Sequence, residues 1–381
     1  MRFYEHLTIP SEPAPMESAY ALQDTLDNAA QLAEFYRLRE QTQPIEIEQI
    51  LGQLRLLVDR VLSESGLYAP ELAAIALKQT EGDAIEAAEI LRAHRIQLQI
   101  KYTSAVIDTT HMLMERRISS SFREIPGGQV LGPTRDYTQR LLECDLAYED
   151  EASAEDLRTA LLAGMEAADE AEIYSFRRVI DVMREQGLMQ PEDPESDGKD
   201  PVYNASRTPI TYPQSRAAAL QTMSRAETGA LMALGYASQR GYGGGHGTIG
   251  ELRYGRPRVS VTDARGRTRC IGSIHVTECE MVGRGNSGGK KAAPHYSVGY
   301  GLCFGQNETK AICMGKLENA MRSPDETRPP NDPEYILYHS DTTEAAGAVR
   351  SLLMPGHVDF TAQARDLDAA ITRSAARKAK K

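Results

Sequence analysis

The sequence predicts an α+β protein, with a mostly helical N-terminal part, a central block of mixed or antiparallel strands, and C-terminal helices. Apolar residues between positions 47 and 62 recur every three or four residues, which is typical of one face of an amphipathic helix. Strand-like runs occupy residues 249–254, 259–262 and 270–282. Because helices flank this block instead of alternating with its strands, the pattern favours α+β over α/β.

The N-terminal helices are predicted from their start signals. Residues 17–39 are expected to form a first helix, and a long amphipathic helix is expected after Pro44. Pro70 takes a first-turn position of a further helix, where proline loses no hydrogen bond. Asp83 is a suitable N-cap for a helix that runs to about Leu98.

Similar signals predict the later elements. One or two helices are expected over residues 152–187, a single helix over residues 214–237, and a short strand over residues 335–339. Residues 341–344 fit a capping box, with Asp341 in the capping role, at the start of another helix. A last helix of about fourteen residues is expected after position 360.

Shifts in composition divide the chain into five regions. They are an N-terminal arm with the first helix (1–44), a helical region with an arginine- and glycine-rich loop (45–190), a polar, proline-rich linker (191–207), a central α+β domain of catalytic type (208–323), and a C-terminal strand and helices with a basic tail (324–381).

The composition argues against several classes of protein. A net charge of −11 argues against a general nucleic-acid binder, and no apolar run approaches the length of a membrane span. The five cysteines are odd in number and form no C-x-x-C pair. We therefore expect a reduced, cytoplasmic protein without a cysteine-based iron–sulfur or structural zinc site of its own.

The central block contains two glycine-rich segments. Six glycines fall between positions 241 and 250, a density that suggests positive φ angles or close approach of the backbone to a ligand. The second segment, residues 299–305, leads into a predicted helix with Asn307 as N-cap. Free N–H groups at such a helix start favour anions.

Short motifs in order along residues 45–362 resemble one family. In the N-terminal half they occupy residues 56–61, 67–73, 91–95, 115–119, 126–132 and 136–138. In the remainder they occupy residues 228–231, 240–243, 250–253, 276–282, 299–306, 339–341 and 358–360. Examples are Leu-Arg-Ala-His-Arg at 91–95 and Val-Thr-Glu-Cys-Glu-Met-Val at 276–282. The chain thus resembles the PhnI family of subunits of the bacterial carbon–phosphorus lyase system.

The resemblance implies a function in phosphonate breakdown. Subunits of this family take part in replacing the purine of ATP or GTP by an alkylphosphonate, which gives ribose 1-phosphonate 5-triphosphate. Alone, such a subunit acts as a purine nucleosidase that releases ribose 5-triphosphate. The implied partners are the G, H and L subunits, and a core complex with G, H and J, of which J carries the iron–sulfur chemistry. Mg²⁺ is expected with the nucleotide, and no motif predicts a bound cofactor.

The sequence departs from the family at its metal-binding segment. The family has a His-x-x-x-x-His pair before Val-Asp-Phe, associated with a metal at the contact with J. Ser351 and Gly356 take the matching positions here, followed by His357. A zinc site at this shared interface would use His357, with His339 as a spatial substitute for the missing imidazole. The N-terminal residues 1–19 also differ from the family's start.

The implied reaction guides the choice of catalytic candidates. Breaking an N-glycosidic bond builds positive charge on the ribose, which a carboxylate can stabilise, and the departing purine needs a proton or a hydrogen bond. Glu251 follows the last glycine of the first segment, and Glu280 lies two residues from Glu278, on one face of a strand. His246 between two glycines and Asp341 complete the set. The alternatives are a surface glutamate, a solvated strand face, an exposed loop histidine and a helix cap.

A second group of candidates would bind the phosphates. It consists of Arg116, Arg117, Arg135, Arg240, Lys310 and Gly243. Guanidinium, ammonium and backbone N–H groups suit phosphate oxygens, although no Walker A loop is present. For each charged member, a solvated surface position is the alternative interpretation.

The competing function is a scaffold that organises the complex and contributes little chemistry. A third function, a metal-dependent hydrolase unrelated to phosphonates, would need a clear ligand set, which the sequence lacks. Convergence of His246, Glu251, Glu280 and Lys310 on one cleft would favour catalysis over the scaffold. Under catalysis, Glu251→Gln is expected to lower purine release at least roughly tenfold.

Overall fold

The computed structural model describes residues 19–40, 42–164, 176–189, 203–240, 247–263, 265–284, 295–322, 327–353 and 357–379. These residues form thirteen α-helices and six strands, which confirms the α+β prediction. The N-terminal arm, most of the linker, and the glycine-rich segment with Gly243 and His246 lie outside the described residues.

Five helices make up the N-terminal part. They are α1 (Ala19–Leu38), α2 (Ile47–Gln53), α3 (Arg55–Ser65), α4 (Pro70–Gln79) and α5 (Ala84–Gln97). Pro70 opens α4 and Asp83 caps α5, as predicted. The long helix expected after Pro44 is wrong in one respect, because Leu54 leaves the helical conformation and separates α2 from α3. The backbone N–H of Leu54 still donates to the carbonyl oxygen of Ile50. The apolar spacing in the sequence continues across the break and therefore does not indicate it.

Four helices and one strand lead to the central block. They are β1 (Leu113–Ile118), α6 (Glu151–Gly164), α7 (Val179–Glu185), α8 (Arg216–Arg225) and α9 (Thr228–Arg240). The single helix predicted over residues 214–237 is wrong, since α8 ends before Ala226 and α9 starts afresh. Glu227 causes the new start, because its carboxylate accepts hydrogen bonds from the backbone of Gly229 and Ala230.

The strands form two antiparallel sheets. Strands β2 (Thr248–Arg256), β5 (Val276–Arg284) and β6 (Tyr296–Phe304) join β1 in a four-stranded sheet of order β1-β2-β5-β6. Strands β3 (Arg258–Thr262) and β4 (Thr268–Ser273) pair separately. Strand β1 lies in the region, residues 45–190, that the sequence predicted as helical with an arginine- and glycine-rich loop. Its pairing with β2 connects this region to the central block.

One face of the larger sheet is apolar and is covered by helix α10 (Glu308–Met321). The core beneath α10 contains Leu252, Cys279, Met281 and Cys303 from the strands, and Met314 and Leu317 from the helix. Gly299 and Gly301 permit this close packing, since a Cβ at either position would overlap a backbone carbonyl oxygen of α10.

The C-terminal part is helical. Helices α11 (Pro333–Ser340), α12 (Thr342–Ser351) and α13 (His357–Ala379) follow α10. The strand predicted over residues 335–339 is wrong, because Pro333 in the first turn and an Asp332 cap start a helix there. Asp341 caps α12 as predicted, and α13 has 23 residues where about fourteen were expected. Within the described residues, no helix combines the length and apolar character that crossing a bilayer requires.

Candidate functional site

The second face of the sheet carries the candidate site, because side chains alternate between the two faces of a strand. Glu251 on β2 lies opposite Glu280 on β5, Arg253 lies opposite Glu278, and Glu280 lies opposite Tyr300 on β6. Directly opposed residues on antiparallel strands have Cβ atoms about 5 Å apart. The register therefore brings three carboxyl groups together, and Glu251, Glu278 and Glu280 are all buried.

A bulge sets this register. The pairing of β2 with β5 shifts between Ile249 and Glu251, at Gly250. A Cβ at Gly250 would lie 2.8 Å from Val282 and 3.1 Å from the carbonyl oxygen of Glu280, so a side chain there would disturb the pairing. The bulge directs Glu251 toward the charged face, in agreement with the general use of bulges to re-aim side chains.

Glu251 is held by one arginine and one backbone amide. Arg117 on β1 places its Nε atom 2.5 Å from Oε1 of Glu251, and both side chains are almost fully buried. The backbone N–H of Val179 donates to Oε2 over 3.0 Å. The ring of Phe176 packs 4.7 Å from the Arg117 guanidinium and helps to shield the pair from water.

Both carboxylate oxygens of Glu278 also accept hydrogen bonds. Arg253 donates to its Oε2 atom, and Oε1 accepts from the Thr109 hydroxyl over 2.9 Å and from the Tyr300 hydroxyl over 2.7 Å. Burial, and then the charge of Glu278, raise the pKa of Tyr300 well above its usual value. Tyr300 is therefore a hydrogen-bond donor at neutral pH, and it fixes the orientation of the Glu278 carboxylate.

Glu280 differs from its two neighbours. Its Oε1 atom is 2.9 Å from Nη1 of Arg178, but its buried Oε2 atom has no hydrogen-bond partner among the described residues. Burial raises the pKa of Glu280 to about 7, and the nearby Glu278 adds to the rise while Arg253 opposes it. A carboxyl group with a pKa near 7 can both release and accept a proton at neutral pH, as acid–base catalysis requires.

The three carboxyl groups face three guanidinium groups. Arg117 and Arg253 are buried, whereas 31% of the Arg178 side chain is exposed. Arg178 thus lies between Glu280 and the solvent. When Glu280 carries a proton, the carboxylate of Asp181, 3.7 Å from Nε of Arg178, is the remaining counter-charge of this guanidinium, and the exposed side of Arg178 can then accept an anionic ligand more readily.

The structure brings together three of the residues chosen from the sequence. Glu251, Glu280 and Arg117 belong to one carboxylate–guanidinium cluster, which also contains Glu278, Arg253 and Arg178. Lys310 does not, because it lies in α10 on the apolar side of the sheet, where its Nζ donates to the Ser63 hydroxyl over 2.7 Å. Burial lowers the pKa of Lys310 to about 8. Of the four residues expected to converge, two therefore meet, Lys310 lies apart, and His246 is outside the described residues.

The other phosphate candidates are dispersed. Arg116 points away from Arg117, and its Nε and Nη2 atoms lie 2.9 Å from carboxylate oxygens of Glu308 and Asp136. Arg135 is exposed and lies 3.8 Å from Glu143. Arg240 ends α9 as an exposed residue. Their phosphate-binding roles, and that of Gly243 outside the described residues, stay predictions.

The candidates in the C-terminal helices have structural contacts. Asp341 accepts from the backbone of Thr343 as a helix cap, and its carboxylate lies 2.8 Å from Arg92. His339 is exposed and stacks on Tyr335, with ring centroids 4.2 Å apart. A catalytic role for Asp341 stays a prediction.

The structure describes only part of the predicted zinc site. His357 starts α13, but its side chain is not among those described. Ser351, at one position of the family's histidine pair, donates its hydroxyl to Ala348 within α12. In the described part of the chain, no three histidine, cysteine or acidic side chains form a metal-binding group. A shared zinc site stays a prediction.

Sequence reasoning missed three residues of the site, namely Arg253, Tyr300 and Arg178. Arg253 lies two residues after Glu251, and this spacing within one strand places both side chains on the same face, so the signal was present. Tyr300 was noted only as part of a glycine-rich segment. Arg178 carried no local signal, because its contact with Glu280 joins residues 102 positions apart.

The fold and the cluster define an α+β protein with a buried charged site of the type suited to acid–base chemistry. Comparison with known proteins gives the family: the chain belongs to the PhnI family of bacterial phosphonate metabolism proteins, whose model matches residues 20–373.

Curated relatives support this assignment. The chain is 41% identical to the Escherichia coli (strain K12) protein "Alpha-D-ribose 1-methylphosphonate 5-triphosphate synthase subunit PhnI", over 89% of this chain and 93% of the relative. A Rhizobium meliloti (strain 1021) protein of the same name is 38% identical, over 84% of each chain. The Stutzerimonas stutzeri protein "Putative C-P lyase subunit protein HtxH" is 41% identical, over 83% of this chain and 85% of the relative.

Proposed function

We propose that this chain is a catalytic subunit that replaces the purine of ATP or GTP by an alkylphosphonate. The product is ribose 1-phosphonate 5-triphosphate, and without a phosphonate the same site releases the purine by hydrolysis. Family membership and the synthase names of two relatives support the pathway. The observation that carries the catalytic role is Glu280, a buried carboxyl group with one unpartnered oxygen and a pKa of about 7.

The proposed reaction assigns a proton to Glu280. The bond between ribose C1′ and the purine nitrogen breaks, and the purine leaves with the bonding electrons and gains a proton. In the transfer reaction a phosphonate oxygen bonds to C1′, and protonated Glu280 supplies the proton of the purine. In hydrolysis a water oxygen bonds to C1′ instead, and the proton lost by that water balances the one that the purine gains. The pKa of Glu280 permits either protonation state at neutral pH.

The surrounding groups have complementary roles in this proposal. Glu251 and Glu278, held by Arg117 and Arg253, supply negative charge that stabilises the positive ribose in the transition state. Arg178 is the most exposed guanidinium of the cluster, and we assign it to the oxygens of the incoming phosphonate. Mg²⁺ would accompany the triphosphate, whose binding residues the cluster does not identify.

We further propose that the chain works with the G, H and L subunits and assembles into a core complex with G, H and J. The name of each relative given above describes a subunit, which supports a role within an assembly. In this proposal J performs the later carbon–phosphorus cleavage, and the present chain prepares its substrate.

The scaffold alternative is favoured by one feature. Segment 141–162 exposes many apolar side chains to solvent, among them Leu141, Leu142, Tyr148, Leu161 and Leu162, each more than 60% exposed. Such a surface is typical of a site where another protein binds. A scaffold and a catalytic subunit are not exclusive, but a pure scaffold would release no purine.

The decisive experiment measures purine release from ATP and GTP by chromatography. The purified chain is tested alone, and then with the G, H and L subunits and methylphosphonate. Release by the chain alone would show an intrinsic nucleosidase. Ribose phosphonate triphosphate formed only with the partners would show that the complex completes the site. No product under either condition would favour the scaffold.

One variant and its matched control test whether the activity depends on the carboxylate–guanidinium cluster. Glu280→Gln removes the proton-exchanging group, and we expect at least about a hundredfold loss of product formation, within the usual range for general acid–base groups. The matched control is Glu308→Gln, which alters a carboxylate paired with Arg116 on the opposite side of β1. Equal activity of Glu280→Gln and the wild-type protein would refute the assignment of Glu280.

A further inference from the structure

A second group of arginines lies on the helical side of the molecule. Arg92 and Arg95 belong to α5, Arg225 is the last residue of α8, and Arg207 precedes α8. This arginine cluster shares no residue with the carboxylate–guanidinium cluster. It packs against the end of α3, on the side of the sheet that α10 covers.

Arg92 is fully committed to structural contacts. Its Nε donates to the carbonyl oxygen of Glu64 over 2.9 Å, its Nη1 lies 2.8 Å from the Asp341 carboxylate, and its Nη2 donates to the carbonyl oxygen of Arg225. Cations near the last carbonyls of α3 and α8 stabilise those helix ends. Helix-end stabilisation therefore accounts for Arg92.

Helix-end stabilisation does not account for Arg225 and Arg95. Arg225 uses Nη1 to donate to the carbonyl oxygen of Ala205, but its buried Nε has no partner among the described residues. The half-buried guanidinium of Arg95 makes no hydrogen bond or ion pair within the described part of the chain. A buried donor without a partner is costly, so Nε of Arg225 indicates a missing acceptor, and the half-exposed guanidinium of Arg95 is free to share it.

The two side chains converge above Gly66. A Cβ at Gly66 would lie 3.1 Å from Nη1 of Arg95 and 3.0 Å from Cγ and Cδ of Arg225. Gly66 has a positive φ of 65°, which glycine adopts without strain. A side chain at this position would crowd both arginines, so the glycine allows the two side chains to approach each other.

The charges around these two side chains are unbalanced. Burial, and then the charges of Arg92 and Arg95, lower the pKa of Arg225 to about 10. Burial, and then Arg207 and Arg92, lower the pKa of Arg95. Asp341 is the carboxylate that opposes the shift of Arg225, and it is already paired with Arg92. Arginines this close repel one another unless an anion lies between them.

We propose that Arg95 and Arg225, supported by Arg207, form a binding site for a tetrahedral oxyanion of the phosphate type. Arg95 Nη1 and Arg225 Nε would donate to its oxygens, and Arg92 would hold the site in place. Free phosphate, a phosphonate and the terminal group of a triphosphate share this chemistry. The proposal does not depend on the proposed function, since none of its residues takes part in the reaction assigned to Glu280.

The test is a binding titration of the full chain, and of its Arg95→Gln variant, with inorganic phosphate, methylphosphonate and triphosphate in separate experiments. Calorimetry gives the dissociation constants. We expect the substitution to weaken binding at least about tenfold, because it removes a charge-assisted hydrogen bond to the anion. Arg158→Gln, which alters an exposed arginine on α6, serves as the matched control and should bind normally.

The outcomes are distinct. Tighter binding of triphosphate than of phosphate would assign the site to a triphosphate tail, and similar affinities would assign it to a single phosphoryl group. Binding that survives Arg95→Gln but is lost in Arg178→Gln would overturn the proposal, because the anion would then occupy the carboxylate–guanidinium cluster. Absence of binding by the wild-type chain would overturn it as well. The Arg95→Gln variant should keep its thermal stability without anion, since one repelling charge is removed.

Discussion

At the scale of single residues, Glu251 and Glu280 show how neighbours acquire different properties. Both carboxyl groups are buried and lie opposite each other in the sheet. Both oxygens of Glu251 accept hydrogen bonds, whereas one oxygen of Glu280 has no partner among the described residues. Enzymes often separate acid and base roles between two carboxyl groups in this way. We therefore assign charge stabilisation to Glu251 and proton exchange to Glu280.

The raised pKa of Glu280 predicts a pH dependence of stability. A folded-state pKa of about 7, above the unfolded value near 4.5, means that the folded protein binds this proton more tightly. The stabilisation is present below pH 4.5 and is lost as the pH rises toward 7, with a magnitude of order 3 kcal/mol. Chemical denaturation of the wild-type protein and Glu280→Gln across this range should show the difference. Parallel curves for the two proteins would contradict the prediction.

Glu251→Gln is expected to lower purine release at least roughly tenfold, through loss of the negative charge beside the ribose. The structure adds a second effect, since the substitution leaves the buried Arg117 without its counter-charge, which destabilises the fold by about 3–5 kcal/mol. Thermal unfolding must therefore accompany the activity assay. Glu308→Gln, a more exposed member of an ion pair with Arg116, is the matched control. Unchanged turnover in folded Glu251→Gln would remove Glu251 from the site.

At the scale of elements, the sequence predicted most helices and the two strands, β2 and β5, that carry the three glutamates of the site. Period-two spacing placed Glu278 and Glu280 on one face, a first-turn proline located the start of α4, and capping residues located the starts of α5 and α12. The failures have local causes. The apolar spacing continues across the break at Leu54, where a backbone hydrogen bond to Ile50 is kept. The Glu227 cap starts α9 separately from α8. The pairing of β1 with β2 joins distant segments, which no local pattern can indicate.

The contact between β6 and α10 supplies a test of packing. Gly299→Ala would drive a Cβ into the carbonyl oxygen of Gly315, so we expect a loss of about 1–3 kcal/mol in the free energy of unfolding. Gly347→Ala on α12 is the control, because a Cβ there has open space and alanine favours helix by up to about 1 kcal/mol. Denaturant titration measures both. A stable Gly299→Ala protein would mean that α10 can shift away from the sheet.

At the scale of the whole molecule, the sheet separates two charged regions. The carboxylate–guanidinium cluster occupies one face, and the arginine cluster lies among the helices on the other side. The sequence could not predict the whole site, because the site depends on contacts between residues more than a hundred positions apart. Examples are Arg178 with Glu280 and Arg117 with Glu251. Sequence could select Glu251 and Glu280 as candidates, but their protonation depends on a burial that only the folded chain creates.

The exposed apolar segment 141–162 leads to a prediction about assembly. Helix α6 buries none of its residues within the chain, and Leu161 and Leu162 are 61% and 62% exposed. The double change Leu161→Lys and Leu162→Lys should alter stability by less than about 1 kcal/mol, as surface substitutions usually do. We expect it to weaken co-purification with the G, H and J subunits. Leu367→Lys on α13, at 61% exposure, is the control, and equal recovery of both variants would exclude α6 from the interface.

The bulge at Gly250 has a consequence for how this protein can change over evolutionary time. One residue inserted or deleted directly after the bulge would exchange the two faces of β2, so that Leu252 would face the buried carboxylate–guanidinium cluster and Glu251 would lie beneath α10. A point substitution alters one contact, but a length change reverses the whole strand. Descendants of this chain should therefore vary in the composition of β2 far more readily than in its length.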